Sequence, residues 1–337
     1  MTEASLQTQV AASAPGKVIL AGEYAVLDGA PAICMAVDRR ARVTISTSGE
    51  DHHIVNAPGF SDDCGRFIDR DGELEWIAAG EGFALLDDVW RTSNARSRTG
   101  LSLQLDSSEF LDAASGSKIG IGSSAALAVA LAAALYEILD TDFDATSVAF
   151  AAHRQFQNGL GSGVDVACSC AGGLVEYCMG VTAVKKIAWP DGLAYAVLWS
   201  GVPVSTGRKL RRLEEHVAKP SRAALVAAAK RLADAWCSAS TSAILDQYRD
   251  YTRVLRKFSI DHELGIFDAG HAELAAAADA AGLVYKPCGA GGCDIGVVLG
   301  DDAVAIEAFV DKSLPQNFNL LNMNIDPDGV RVVREEN

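Results

Sequence analysis

Residues 118–126 read Lys118-Ile119-Gly120-Ile121-Gly122-Ser123-Ser124-Ala125-Ala126, and the chain runs on from there into an Ala/Leu-rich stretch that reaches Leu139. Closely spaced glycines let backbone amides approach a ligand, and a serine at the start of the apolar stretch is a good helix N-cap. A helix is therefore expected over 123–139, with its positive dipole end aimed at the loop, a setting suited to phosphate oxygens. Gly120, Gly122, Ser123, Ser124 and Ala125 are the candidate phosphate-binding residues, and the serine hydroxyls are also candidates for Mg2+, which prefers oxygen ligands. Taken alone, a plain strand-to-helix turn with a serine cap is the stronger reading, because short glycine motifs recur by chance.

Two other segments share this chemistry. Residues 286–296, KPCGAGGCDIG, hold Gly289, Gly291 and Gly292, more glycine than a simple hairpin turn requires. A close backbone approach to a ligand, or to the first loop, accounts for that density better. Residues 158–172, NGLGSGVDVACSCAG, set Asp165 among small apolar residues. A carboxylate in such surroundings needs a cation, and Lys17 of the APGK segment at 14–17 is the expected partner. On these residues alone, a catalytic Asp165, a helix cap and a structural ion pair all stay open.

Around these segments, short apolar runs split by Gly and Pro predict strands at 18–21, 32–37, 42–46, 101–105, 173–178, 194–199, 283–286 and 295–299. Helical periodicity predicts helices at 144–157, 207–217, 221–237, 241–257 and 270–281. Residues 49–100 mix charges, glycines and scattered aromatics and show at most one helix, near 81–90. The irregular order of strands and helices favours an α+β fold, with a division near 180–195.

At 337 residues the chain exceeds the size of most single-core domains, which favours two. A net charge of -15, with no basic stripe, disfavours nucleic acid and anionic membranes as partners. The longest apolar runs are too short for a bilayer span, and the polar N-terminal residues lack a secretion-signal layout, so a cytoplasmic protein is expected. The eight cysteines have no paired CxxC spacing and read as reduced structural thiols.

Residues 14–33, APGKVILAGEYAVLDGAPAI, resemble the first motif of the GHMP kinases; KIGIGSSAA is similar to the second and KPCGAGGCDIG to the third. All three stand in the family's order from residue 14 to 296. The resemblance implies a ribosomal-protein-like α/β domain at the N-terminus, expected over 1–188, and a ferredoxin-like domain over 189–337, with the active site between them. Within the superfamily, four features are similar to the phosphomevalonate kinase branch: the GEY at 22–24, Lys118 ahead of the second motif, AHRQFQNGLGSGVDVA at 152–167 and WSGVPVST at 199–206. They imply ATP- and Mg2+-dependent phosphoryl transfer to mevalonate 5-phosphate, giving mevalonate 5-diphosphate and ADP. Mevalonate kinase or another GHMP small-molecule kinase is the alternative, with mevalonate diphosphate decarboxylase more remote and a non-catalytic nucleotide-binding protein more remote still. Monomer and homodimer both remain open.

The resemblance also implies residue roles. Asp165 orients or deprotonates the attacking oxygen, or holds Lys17. Lys17 and Lys118 neutralise developing charge, and Ser124 shares Mg2+ with the ATP phosphates. The acceptor falls to Lys17, Glu23, Tyr24, Arg154, Ser162, Gly163, Ser205, Thr206, Gly289, Ala290 and Gly291. Arg154 stands eleven residues before Asp165, where mevalonate kinases carry a metal-binding Glu, and a cation there suits an acceptor that already bears phosphate. In the third motif Cys288 replaces the usual Ser and Cys293 a Gly, which would strain the loop if that position needs a positive φ. The basic run RKLRR at 208–212 suits either the substrate phosphate or a solvated helix face.

Overall fold

Strand β1 (Thr8–Ala21) runs through the Pro15–Gly16 pair because its register against β2 (Ala32–Thr47) shifts there, which spares the sheet a missing proline donor. The segments read separately at 32–37 and 42–46 are one continuous strand. The computed structural model describes residues 8–336 except 59–60, 98, 140–141, 182–183, 203–208, 210, 214–219, 293 and 316.

The stretch that was opaque in sequence holds three strands, β3 (His53–Ala57), β4 (Ser61–Arg70) and β5 (Glu73–Ala78), followed by helix α1 (Ala84–Ser93) and β6 (Leu101–Asp106). These strands lie toward one edge of the sheet, where polar side chains such as those of Asp63, Arg66 and Glu73 face water and dilute the apolar alternation. The scattered aromatics form the covered side. Phe67 sits 5.1 Å from Trp76 and 5.5 Å from Trp90, and Trp76 stacks on Phe83 at 5.4 Å.

The first sheet has the order β13-β1-β2-β6-β3-β4-β5, β13 being Arg331–Glu336; β7 (Leu174–Tyr177) also pairs with β2, and β8 (Lys185–Ile187) with β7. Only the β3–β6 pairing is parallel among these. Helix α2 (Ser123–Leu139), found at the bounds expected, packs on β1 and β2 with its alanines buried nearly all round, which allows close approach. It is flanked by α3 (Ala145–Phe156) and by α4 (Val164–Ala171), a short helix that the sequence did not reveal.

The second sheet is antiparallel in the order β10 (Val284–Pro287), β11 (Ile295–Gly300), β9 (Ala194–Trp199), β12 (Asn319–Leu321). Its core joins Leu198, Tyr285 and Val298 to Leu274 of α7 (His271–Ala280) and Phe309 of α8 (Ala303–Ser313). Helices α5 (Pro220–Ser238) and α6 (Thr241–Asp261) pack on each other, and one apolar core runs from β1 through them to β11. Of the helix expected at 207–217, Lys209 and residues 211–213 are helical and the rest lies outside the described residues.

The architecture is α+β, as expected. The strands preceding the 188/189 division belong to the first sheet and β9 opens the second, but β13 crosses back to pair with β1 from Thr8 to Ser13. Buried Arg40 fastens this return: it bonds Asp326 at 2.5 Å and donates to the carbonyls of Ser13 and Gly329 at 2.9 and 2.7 Å. Among the described residues no helix is long and apolar enough to cross a membrane.

Candidate active site

The register shift in β1 presses the first motif against the glycine loop. Lys17 N–H donates to the Ile121 carbonyl at 2.8 Å, and a Cβ on Gly16 would lie 2.9 Å from that oxygen, so only glycine fits. Gly120 and Gly122 have φ of +90° and +85°, the left-handed region that turns the loop into α2 without steric cost. Lys17, Lys118, Gly120, Gly122, Ser123 and Ser124 thereby border one cavity of about 550 Å³. Ala125, also expected to contact phosphate, is fully buried behind this wall and does not border the cavity.

The third motif closes the same cavity through Gly289, Ala290 and Asp294. Its anchor is a sealed ion pair: Lys286 bonds Glu23, whose other oxygen accepts from the Tyr251 hydroxyl at 2.8 Å. Lys286 also donates to the Ile19 carbonyl at 3.2 Å and faces the Cys288 sulfur at 3.6 Å. Burial works against the Lys286 ammonium, but the Cys288 sulfur and the Glu23 carboxylate hold it above the usual lysine range. Burial pushes the Cys288 thiol up to about 11, so it packs as a neutral group. Glu23 borders the cavity, and its carboxylate also joins the first and third motifs. Tyr24, at φ +60°, likewise donates its hydroxyl to the Ala290 carbonyl at 2.7 Å.

Lys209, of the basic run, is turned inward. Its ammonium donates to the Gly291 carbonyl at 2.5 Å and, at 3.4 Å each, to those of Ala290 and Gly265. Gly291 does not itself border the cavity.

Asp165, in the first turn of α4, borders the cavity beside Ser162, while Gly163 opens the helix behind them. The expected ion pair with Lys17 does not form. Asp165 instead faces His153, with Nδ1 at 3.9 Å from Oδ1, and His153 Nε2 lies 3.0 Å from the Ser124 hydroxyl. Arg154 does not reach the cavity either: it is exposed and donates to the Gly159 carbonyl at 3.3 Å. One residue along a helix turns a side chain by roughly 100°. With His153 facing inward at 1% exposure, Arg154 faces out. Ser205, Thr206 and Cys293 lie outside the described residues.

The cavity lining combines apolar residues, Phe83, Leu86, Leu105, Phe110, Leu127 and Leu131, with the lysines, serines and Asp165. Such a lining suits a ligand with a flat apolar part and an anionic tail. For a divalent cation the fit is partial but of the right chemistry, with hydroxyl and carboxylate oxygens from Ser124 and Asp165. Among the described residues the one cluster of three metal-ligating side chains, Glu50, Asp51 and His52, lies elsewhere, so a cation held in the cavity would need its other ligands from phosphate and water. His153, Lys286 and the wall at 83–86 were missed in sequence, and Lys209 was read only as part of the basic run at 208–212. For His153 a signal existed: it stands four residues after Ala149, a spacing that puts both on the buried face of α3.

Residues 89–173 match the GHMP kinases N terminal domain. The chain is 30% identical over 342 residues to a phosphomevalonate kinase from Streptomyces sp. (strain CL190), covering 88% of this chain and 91% of that protein. It is 33% identical over 184 residues to a mevalonate kinase from Pyrococcus abyssi (strain GE5 / Orsay), covering 51% and 52%. In three dimensions it is similar to Streptococcus pneumoniae phosphomevalonate kinase in complex with phosphomevalonate and AMPPNP, with TM-score 0.75 at 18% identity over 94% of this chain and 99% of that one. A near full-length relative, a matching N-terminal domain and three motifs meeting at one cavity lead to a single conclusion: the chain belongs to the GHMP kinase family and is a phosphotransferase.

Proposed function

We propose that this kinase transfers the γ-phosphoryl group of ATP to the 5-phosphate of mevalonate 5-phosphate, giving mevalonate 5-diphosphate and ADP, in a Mg2+-dependent reaction. One observation carries the acceptor: the similarity to a phosphomevalonate kinase extends over 88% of the chain, whereas that to the Pyrococcus mevalonate kinase stops at 51%. The nucleotide base and ribose lie against the apolar wall, and the phosphates lie over Gly120 to Ser124 at the start of α2. Mg2+, when bound to those phosphates, supplies charge neutralisation. Lys17 and Lys118 draw the two anions together, and Asp165 orients the attacking oxygen. A phosphate nucleophile is already ionised at neutral pH, so its attack asks little base catalysis of Asp165.

The position of Arg154 favours a second reading, mevalonate kinase. Its exposure removes one cation expected to meet a phosphorylated acceptor. The two readings are separated by kcat/KM for mevalonate and for mevalonate 5-phosphate, with ADP and carbon dioxide both followed. Preference for mevalonate 5-phosphate by about one to two decades, the worth of one charge-assisted phosphate contact, is expected. Preference for mevalonate replaces the proposal with the second reading, and carbon dioxide release replaces both with a decarboxylase.

A further inference from the structure

A serine hydroxyl at a phosphate site has two uses, since its proton can go to a phosphate oxygen or its lone pairs can go to a cation. At Ser124 the surroundings choose between them. His153 stands between Ser124 and Asp165, with Nε2 3.0 Å from the Ser124 oxygen and Nδ1 3.9 Å from the Asp165 carboxylate. A carboxylate only accepts, and its charge 3.9 Å from Nδ1, beyond hydrogen-bond reach, favours the ring proton on that nitrogen, which leaves Nε2 as the acceptor. The Gln157 side-chain nitrogen, a donor, also faces Nε2, at 3.4 Å. Ser124 then gives its one proton to His153, and its lone pairs are what remain for the cavity.

We propose that His153 is a positioning residue: it makes the Ser124 oxygen an acceptor, so that Ser124 ligates the cation on the nucleotide phosphates and does not donate to the phosphates themselves. The phosphates have other donors. The first amides of α2 lack partners within the helix, and Lys17 and Lys118 border the same space. A single buried ring thus assigns the serine to the cation and leaves the backbone to the anion. The inference rests on the nucleotide half of the function proposed above; the identity of the acceptor does not enter it.

The test is calorimetric binding of AMPPNP to the full chain with and without Mg2+, joined to 15N NMR of the His153 ring. In the parent protein the ring carries its proton on Nδ1, and Mg2+ tightens AMPPNP binding. His153→Ala loses about tenfold of that gain, the worth of one net hydrogen bond, while Mg2+-free binding stays within about twofold. His153→Gln, whose side-chain oxygen can accept from Ser124, keeps the gain. His153→Ala combined with Ser124→Ala costs no more than Ser124→Ala alone, because His153 acts through Ser124.

A ring proton on Nε2 in the parent overturns the inference without recourse to any variant, so a poorly folded mutant cannot shield it. An equal loss with and without Mg2+ in His153→Ala overturns it as well, since that marks Ser124 as a phosphate donor. So does a parent whose AMPPNP affinity ignores Mg2+. A protein that shows the Mg2+ effect but phosphorylates another acceptor upholds this inference and ends the substrate proposal.

Discussion

At the residue scale, the charge of Asp165 and that of Lys118 make separable predictions. Asp165→Asn keeps a side-chain oxygen able to accept from the Val166 amide, a contact of 3.0 Å, and removes only the charge. Turnover should fall about 100-fold or more with AMPPNP affinity nearly intact, as steady-state kinetics and calorimetry would show, and unchanged turnover would take Asp165 out of the site. Lys118 borders the cavity and Arg154 does not. Lys118→Ala should therefore raise KM for mevalonate 5-phosphate by about one to two decades, while Arg154→Ala stays within about twofold. The reverse order of effects would restore the role expected for Arg154. Lys17, Ser124 and Asp165 were readable because their motifs are local in the chain and meet at one cavity in the fold. Arg154 does not border that cavity; a count back from Asp165 says nothing about which way a helix turns, and the neighbouring His153 holds the inward position.

At the scale of elements, α2, the strand segments at 18–21, 32–37 and 42–46 and both glycine loops were legible, since burial on all sides or a demand for positive φ leaves a strong local imprint. Strands β3 to β5 were not, because a half-exposed edge carries polar residues and its apolar face is assembled from aromatics distant in sequence. His53 in β3 makes this region testable. Its ring stacks on Phe67 at 4.8 Å, meets Trp90 edge-on at 5.3 Å and accepts from the Leu101 amide at 3.1 Å, which requires an unprotonated Nδ1. Burial lowers its pKa to about 4. An unfolded histidine titrates near 6.5, so between about pH 6.5 and 4 the unfolded chain binds a proton that the folded chain refuses. The stabilisation is fully present above that window and is lost as pH falls through it, by up to about 3 kcal/mol. Urea unfolding from pH 7.5 to 4.5 should show a shallower decline for His53→Gln, which keeps an acceptor without the titration; equal slopes would show that His53 is not the group responsible.

Across the whole molecule, the two sheets are held in register by contacts that no single segment announces. One core crosses from β1 to β11, β13 returns to the first sheet, and the Glu23–Lys286 pair ties the first motif to the third. Removing one member of a sealed ion pair strands the other charge, so Lys286→Met should destabilise by about 3–5 kcal/mol in urea unfolding. Changing the pair together, with Glu23→Leu added, should cost less than the sum of the single changes. A Lys286→Met loss below about 1 kcal/mol would mean that the pair does not hold the motifs together. The central claim, phosphoryl transfer to an acceptor that already carries phosphate, is tested most directly by 31P NMR of the purified protein with ATP, Mg2+ and mevalonate 5-phosphate. The account predicts that the monophosphate and ATP γ signals decline together as ADP and a second pair of coupled diphosphate resonances appear; an unchanged spectrum, in a sample that phosphorylates mevalonate, would contradict it.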